Sequence, residues 1–416
     1  MTLKLEIGFG TTPQIVEIPD RNLTDILLPN KVSVQAKGEI AVIGALQNPI
    51  GSKKLSEMVH PGQKVAIITS DVTRPVPSYK ILPLIVGELE KAGVAPRDIT
   101  VVFALGSHRK QTPDEMRRLV GEEVYSKVRC VDGDSEDFIH MGKTRLGTPV
   151  DVTRVVAQAD FRIGVGNIEY HYFAGYSGGA KAIMPGVSTR AAIQSNHSRM
   201  VLAEAAAGRL EGNPVREDIE EAISFCPLHF IVNVVLDESK EIIHAVAGHF
   251  IKAHREGCQF LDKLYRKEIK SRADIVIASQ GGAPKDLNLY QTQKALDNAK
   301  HGVKLGGIII LAGSCKEGLG EEVFEEWMTT SESAWSMIER IQQDFQLGGH
   351  KAAAIAMVLQ DSDIYLVSDM EPEFVKSIFL KPFDTVQSAL DVAFQKLGKD
   401  ASVLVMPYGG STLPIA

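Results

Sequence analysis

Apolar runs of strand length recur along this 416-residue chain, and each is followed by a short polar segment and then by a helical pattern. The clearest runs are 65–69 (VAIIT), 99–105 (ITVVFAL) and 161–168 (FRIGVGNI). The repetition of strand, polar loop and helix is typical of a parallel sheet that carries helices on both faces. The chain is therefore predicted to be an α/β protein with largely parallel sheets.

Polar residues follow these three runs directly. Asp71 and Arg74 come after the first run, His108 after the second, and Glu169 and His171 after the third. Ligands of open α/β sheets bind beyond the carboxyl ends of the strands. We therefore expect the three loops to share one crevice.

The chain is longer than one hydrophobic core usually supports, so two domains are expected. A second series of strands and helices is predicted from about residue 273, after a β-hairpin formed by 230–236 and 242–247 that turns at 237–240. We place the boundary at about residue 270. The predicted N-terminal α/β domain, 1–270, contains the candidate active-site residues His108, His171 and Lys181. The predicted C-terminal α/β domain, 271–416, closes the cleft, so the active site is expected in the interdomain cleft.

The composition excludes several classes of partner. The formal net charge is −7 and the sequence has no basic cluster, which argues against a nucleic-acid surface. The four cysteines form no CxxC pair and are expected to be reduced thiols of a cytoplasmic protein. The N-terminus reads as a strand rather than a signal peptide, and no apolar stretch approaches the ~20 residues of a membrane span. We therefore expect neither nucleic-acid nor membrane partners.

The segment after the third run concentrates groups that ordinary packing does not require. A glycine-rich bend, Gly175-Tyr176-Ser177-Gly178-Gly179-Ala180, precedes Lys181, and a helix beginning near Ser188 would carry His197 about two turns along. Glycines allow backbone N–H groups to point at an anion. The bend is not a Walker A motif, because Ala182 stands where that motif needs Ser or Thr. Taken alone, it is either a phosphate cradle or a plain loop with a solvated lysine.

Two histidines, His108 and His171, stand at strand ends. A single histidine in such a place is often structural, whereas two at neighbouring strand ends suit general acid–base catalysis near neutral pH. No pattern of histidines and cysteines matches a zinc site built from protein ligands alone. Any metal here would take most of its ligands from outside the chain.

Several motifs resemble the lactate racemase family in residue type, order and spacing. They are Asp71-x-Thr73-Arg74-Pro75, Gly106-Ser107-His108-Arg109, Glu169-Tyr170-His171 with the glycine-rich bend up to Lys181, Asn196-His197, and Tyr290-Gln291-x-x-Lys294. The resemblance covers nearly the whole chain, both predicted domains included. It implies an isomerase, a 2-hydroxy acid racemase or epimerase, that uses a nickel-pincer nucleotide. This cofactor is a nicotinate-derived mononucleotide with two sulfur arms.

The resemblance also implies a role for each matching position. Lys181 resembles the lysine that holds the cofactor covalently, and His197 resembles the protein ligand of nickel. His108 and His171 resemble the paired acid–base residues. The other matches imply cofactor contacts from Asp71, Thr73, Ser177, Gly178, Gly179 and Tyr290, and substrate contacts from Arg74, Gln291 and Lys294.

The implied reaction is reversible hydride transfer from C2 of the substrate to the cofactor, through a bound 2-oxo acid. The resemblance also implies that cofactor-synthesis enzymes mature the protein. The sequence leaves the substrate open among lactate, malate, 2-hydroxyglutarate, aromatic hydroxy acids and sugar acids.

Two alternatives to a racemase stay open. A nucleotide-binding protein could use the Ser177–Lys181 loop for phosphate, but it would give the two histidines no role. An enzyme that builds such a cofactor should have a reactive cysteine or an ATP loop beside the site. Neither Cys130 nor Cys226 is so placed in the sequence.

Overall fold

The structure is a computed structural model that describes residues 1–74, 76–237 and 239–416. Two residues of the sequence predictions, Pro75 of the Asp71 motif and Glu238 of the predicted hairpin turn, lie outside the described residues. No helix within those described ranges is both long and apolar enough to cross a membrane.

Strands and helices alternate along most of the chain. The strands are β1 (Thr2–Ile7), β2 (Gln14–Pro19), β3 (Leu23–Ile26), β4 (Val65–Ser70), β5 (Ile99–Ala104), β6 (Arg129–Asp132), β7 (Phe138–Lys143), β8 (Pro149–Thr153), β9 (Phe161–Asn167), β10 (Tyr170–His171), β11 (Gly175–Tyr176), β12 (Phe230–Leu236), β13 (Ile242–Gly248), β14 (Arg266–Glu268), β15 (Ala273–Ser279), β16 (Val303–Ala312), β17 (Asp363–Val367), β18 (Lys381–Phe383), β19 (Val403–Met406) and β20 (Leu413–Ile415). The helices are α1 (Gly38–Gln47), α2 (Ser78–Lys91), α3 (Pro113–Val120), α4 (Glu122–Lys127), α5 (Arg154–Ala157), α6 (Arg190–His197), α7 (Pro214–Ala222), α8 (Lys252–Tyr265), α9 (Leu289–Ala299), α10 (Glu322–Thr330), α11 (Ala334–Gln343), α12 (Gly349–Asp361), α13 (Pro372–Ser377) and α14 (Val386–Leu397).

One compact unit, Val32–Lys263, is built on a six-stranded sheet in the order β13-β12-β9-β4-β5-β6. Neighbouring strands are parallel except for β12 and β13, which form the predicted hairpin. The central strands β4 and β9 are buried along almost their whole length. Both faces of such a strand are covered, which is why they read as continuous apolar runs rather than alternating ones.

The carboxyl ends of β9, β4 and β5 lie side by side in this sheet. The loops after these strands therefore meet at one edge, as predicted. One detail differs from the prediction, because β4 lies between β9 and β5. The strands that precede His171 and His108 are therefore not neighbours, and the loop that carries Asp71 lies between them.

The other compact unit, Met1–Lys31 with Leu264–Ala416, is built on a parallel sheet in the order β18-β17-β16-β15-β19-β3. This division differs from the predicted domains, because the first 31 residues belong with the C-terminal part of the chain. The physical reason is strand pairing: Leu23 in β3 lies opposite Val403 in β19. The hairpin of β1 and β2 adds Ile7, Val16 and Ile18 to the core of the same unit. The α/β class with largely parallel sheets is confirmed.

Candidate active site

The first group of site residues surrounds Asp71, directly after β4. Asp71 is 2% exposed, and its Oδ2 lies 2.6 Å from Nδ1 of His108. Thr73 Oγ1 donates to Asp71 Oδ1 over 2.7 Å. Burial raises the pKa of Asp71, but the hydrogen bond and charge of His108, together with Thr73 and Arg74, bring it below its ordinary value. His108 therefore donates its Nδ1 proton to an ionised carboxylate, which leaves the lone pair of the neutral ring on Nε2.

His171 lies on a short ribbon formed by β10 and β11. The two strands are antiparallel, with His171 opposite Gly175, where the sequence predicted only a glycine-rich bend. Nδ1 of His171 accepts a hydrogen bond from the backbone N–H of Ala174 over 3.2 Å. The neutral ring therefore carries its proton on Nε2. His108 and His171 thus hold opposite tautomers.

A buried aromatic ring, Phe173, brings three predicted site residues together. Its centroid lies 4.5 Å from the ring of His171 and 4.9 Å from the ring of His197, both in edge-on geometry. Nζ of Lys181 lies 5.9 Å from the same centroid. His197 is the last residue of α6, whose first turn is capped by the Thr189 hydroxyl. The predicted helix is confirmed, and residues from three separate motif positions surround one apolar side chain.

The environment of His171 and Lys181 favours their neutral forms. Burial, with a further contribution from the positive charge of Arg74, lowers the pKa of His171 well below its ordinary value. Burial, followed by the charges of Arg216 and Arg74, lowers the pKa of Lys181 well below its ordinary value. A neutral amine is a nucleophile, whereas an ammonium group is not. Lys181 is therefore suited to form a covalent bond.

The glycine-rich loop is held by hydrogen bonds within the protein. Ser177 Oγ donates to the carbonyl oxygen of Asn167 over 2.7 Å, and the N–H of Gly179 donates to Asn233 Oδ1 over 2.8 Å. Nε2 of His254 donates to the Ser177 carbonyl over 2.8 Å. The hydroxyl and the N–H that a phosphate cradle would use are therefore engaged elsewhere. This argues against the phosphate-cradle interpretation.

Arg216 of α7 is fully buried against the β10–β11 ribbon. Its Nε donates to the carbonyl of Ala174 over 3.1 Å, and a second guanidinium nitrogen donates to the carbonyl of Tyr176. Glu220, one turn along the helix, lies 3.9 Å from Arg216 Nη1. Burial lowers the pKa of Arg216 to about 10, so the group stays charged at neutral pH. This cation fixes the ribbon and adds to the field that disfavours a charge on Lys181.

Gly175 in the ribbon leaves no space for a side chain. Its φ is +77°, and an added Cβ would lie 2.0 Å from the carbonyl oxygen of Arg209. Gly147 has a similar φ of +83°, but nothing lies within 4 Å of an added Cβ there. Alanine at either position should cost about 1–2 kcal/mol for the left-handed backbone. For Gly175→Ala the free energy of unfolding should fall by about 1–3 kcal/mol more, because the added methyl group overpacks the ribbon.

Urea unfolding of the two variants checks this prediction. Gly175→Ala should unfold at a clearly lower urea concentration than Gly147→Ala, because only the first substitution forces backbone atoms apart. Equal losses in the two variants would mean that the ribbon yields without cost, and the rigid placement of His171 would then be wrong.

Within residues 1–74, 76–237 and 239–416, no three His, Cys, Asp or Glu side chains are grouped to hold a metal ion. A metal held at His197 would therefore take its other ligands from a bound group. All four cysteines lie in the described part of the chain and are free thiols.

Comparisons with known proteins place this chain in a family. The lactate racemase N-terminal domain model matches residues 9–208, and the lactate racemase C-terminal domain model matches residues 269–413. The chain belongs to the lactate racemase family. The resemblance inferred from the motifs is thereby confirmed, and so is the assignment of the protein as an isomerase.

Individual members of the lactate racemase family match over nearly the full length. A lactate racemase of Thermoanaerobacterium thermosaccharolyticum is 34% identical over 421 residues, covering 98% of each chain. One of Lactiplantibacillus plantarum is 33% identical over 394 residues, covering 91% of each chain. The structure of the Thermoanaerobacterium lactate racemase apoprotein matches with a TM-score of 0.90, 34% identity and 100% coverage of both chains. A Thermotoga maritima protein, at 18% identity and a TM-score of 0.65 over 90% of this chain and 97% of that one, shares the fold alone.

Three further residues that match the lactate racemase motifs lie on α9, in the unit Met1–Lys31 with Leu264–Ala416. Lys294 follows Tyr290 and Gln291 by four and three residues, so the helix places it on the same side as both. The side chain of Asn288 caps the helix and accepts from the N–H of Gln291 over 3.0 Å. Nζ of Lys351 lies 3.9 Å from the ring centroid of Tyr290. The roles of these residues stay predictions.

Sequence reasoning missed several residues that shape this candidate site. Phe173 and Arg216 were not predicted, nor were Asn233 and His254. The sequence does carry a local signal for Arg216. This charged residue shares the buried side of α7 with apolar residues such as Val215 and Ile219. Asn233 and His254 meet the loop through tertiary contacts, for which the sequence carries no local signal.

Proposed function

We propose that the chain racemises a small 2-hydroxy carboxylic acid, with lactate as the first substrate to test. We further propose a nickel-pincer nucleotide bound covalently at Lys181. The observation that carries the proposal is the grouping of His171, Lys181 and His197 around Phe173. The choice of lactate is supported by the relatives named lactate racemase that match this chain over 98% and 91% of its length.

The chemistry of the described side chains fits such a cofactor. Lys181 offers an amine whose environment favours the nucleophilic neutral form. His197 offers an imidazole whose ring centroid lies 4.9 Å from the centroid of the same aromatic ring. When bound, the cofactor would supply an acceptor for the hydride of substrate C2, which makes a 2-oxo acid the natural intermediate.

His108 acts as the general base that accepts the hydroxyl proton of the substrate. Its Nε2 carries the lone pair, because Nδ1 donates to the Asp71 carboxylate. The same carboxylate stabilises the imidazolium that forms, as in other acid–base sites where a buried aspartate orients a histidine. Arg74 is exposed, and its positive charge acts on both Asp71 and His171, which supports the proposal that it binds the substrate carboxylate.

His171 starts from the opposite tautomer and offers an N–H to the substrate oxygen. To act as a base at Nε2, the ring must release the N–H of Ala174 and gain a proton on Nδ1, because only then does giving up the Nε2 proton leave a neutral ring with its lone pair on Nε2. Two histidines of this kind are needed because the two enantiomers present their hydroxyl groups on different sides. The proton removed by one histidine is replaced by the other.

Turnover in D₂O tests the proposed chemistry. The protein is produced together with the cofactor-synthesis enzymes and incubated with L-lactate, then with D-lactate, and C2 is examined by NMR. We expect racemisation without deuterium at C2, because the hydrogen leaves and returns as hydride and does not exchange with solvent. Rapid deuterium incorporation at C2 would contradict the proposal, since it indicates direct removal of the C2 proton.

A panel of substrates then tests the choice of lactate. Malate, 2-hydroxyglutarate, an aromatic hydroxy acid and a sugar acid are compared with lactate on the same preparation, and the apoprotein serves as the blank. The highest kcat/KM is expected for lactate. A higher value for another member of the panel would reassign the substrate and leave the reaction class unchanged.

A further inference from the structure

We propose that Asp218 and Asn196 form a relay that fixes the tautomer of His197 with the proton on Nδ1, so that Nε2 is the nitrogen that binds the metal. This inference rests on the proposed function for the metal and on the hydrogen-bond geometry for the tautomer. Both residues act through His197 and are positioning residues. Asn196 is 0% exposed, Asp218 1% and His197 5%.

The orientation of the Asn196 amide follows from its two partners. Its Nδ2 lies 2.8 Å from Asp218 Oδ2 and 3.1 Å from the carbonyl oxygen of Val215. A carboxylate and a backbone carbonyl can only accept hydrogen bonds. The –NH₂ group must therefore point at these two oxygens, and the amide oxygen must point the other way.

The tautomer of His197 follows from the orientation of that amide. Asn196 Oδ1 lies 2.9 Å from Nδ1 of His197. An amide oxygen only accepts, so Nδ1 must carry a proton. In the neutral ring the lone pair then belongs to Nε2. Metal-binding histidines commonly donate their second ring nitrogen in this manner, which fixes the ring and raises its basicity.

The far end of the relay is anchored by three side chains. The hydroxyl of Thr148 donates to Asp218 Oδ2 over 2.6 Å, and that of Thr144 donates to Oδ1. Arg199 Nη1 lies 3.6 Å from the same Oδ2. A buried carboxylate is costly unless it is paired and hydrogen-bonded. Since Asp218 has all of these partners, its own orientation is fixed, and it transmits that orientation to Asn196.

NMR of the apoprotein labelled with ¹⁵N-histidine measures the tautomer directly. The His197 signals are assigned by their loss in His197→Gln. We expect the wild-type ring to show a protonated Nδ1 and an unprotonated Nε2. A wild-type ring with its proton on Nε2 would overturn the relay, whatever the activity of the enzyme, and this measurement needs no variant in the relay to fold.

Two variants test the chain of contacts. Asn196→Leu should release the ring, and Asp218→Asn should let the Asn196 amide turn over, so that the proton appears on Nε2 in a measurable fraction of molecules. Asn22→Leu is the matched control, because Asn22 is also buried and donates to two carbonyl oxygens, those of Lys399 and Ala401. It should leave the His197 signals unchanged. Unchanged signals in both relay variants would overturn the proposal.

Nickel retention by the cofactor-loaded protein gives the functional result. After gel filtration, Asn196→Leu should hold nickel about 10–100-fold more weakly than the wild type, the range typical of such supporting residues. His197→Gln should lose the metal, and Asn22→Leu should keep it. Equal retention by Asn196→Leu and the wild type would overturn the relay's role in metal binding.

The experiment separates this inference from the proposed function. If the loaded wild type shows neither a nucleotide-sized adduct by intact mass nor bound nickel, the proposed function fails. If it shows both while His197 carries its proton on Nε2, the relay alone fails.

Discussion

Alanine at either His108 or His171 is expected to abolish racemisation in both directions, with kcat/KM falling by about 10²–10⁴-fold. In the proposed mechanism each histidine serves the hydroxyl of one enantiomer, and a full turnover needs both. The proton removed on one side must be supplied on the other. The opposite tautomers of the two rings fit these complementary roles. Nε2 of His108 carries a lone pair that can accept a proton, whereas Nε2 of His171 carries a proton.

The matched control for this pair is His140→Ala. His140 Nδ1 lies 2.6 Å from Asp151 Oδ1, the same distance and the same kind of partner as in the His108–Asp71 pair. His140 lies outside the candidate site, so His140→Ala should leave kcat/KM unchanged. The double variant of His108 and His171 should cost little beyond either single change, since residues that act as a unit are not additive. A single variant that racemises one enantiomer at the wild-type rate would contradict the paired role.

The parts of the fold that could be predicted from the sequence are those whose signal is local. β4, β5 and β9 are apolar runs because they are covered on both faces, and the polar residues after them meet at one sheet edge by a general rule of parallel sheets. The placement of β3 could not be predicted, because its partner β19 lies at the other end of the chain. A strand's own residues do not record which distant strand it pairs with.

The candidate site shows the same limit at the level of side chains. His108, His171, Lys181 and His197 could be named as candidates because they stand in short motifs. Their surroundings depend on residues that are remote in sequence, such as Asp218, which acts on His197 from α7. Burial of a polar residue is visible only in the folded chain, so the tautomers and pKa shifts could not be predicted.

Replacing Lys181 with methionine is expected to remove both the cofactor adduct and the activity, while making the apoprotein more stable. The adduct is lost because methionine has no amine, and intact mass of the co-produced protein measures it. Stability should rise, because folding no longer has to hold a lysine amine away from its charged form, and each unit by which its pKa is lowered is worth about 1.4 kcal/mol. Lys53→Met, at an exposed lysine of the same unit, is the control and should keep the adduct and change stability little.

The pH dependence of this gain distinguishes burial of a charge from better packing. The pKa of Lys181 is lowered in the folded protein, first by burial, whereas an unfolded lysine titrates at about 10.4. Between the folded and the unfolded pKa the unfolded chain binds more protons, so wild-type stability rises with pH in that window. The methionine variant lacks this term. The amount by which the methionine variant is more stable than the wild type in urea unfolding should therefore be largest at the low-pH end of this window. It should shrink as the pH approaches 10.4. If the stability difference between the methionine variant and the wild type stays constant across this window, better packing and not the buried amine causes it. The proposal that Lys181 is a neutral nucleophile would then be wrong.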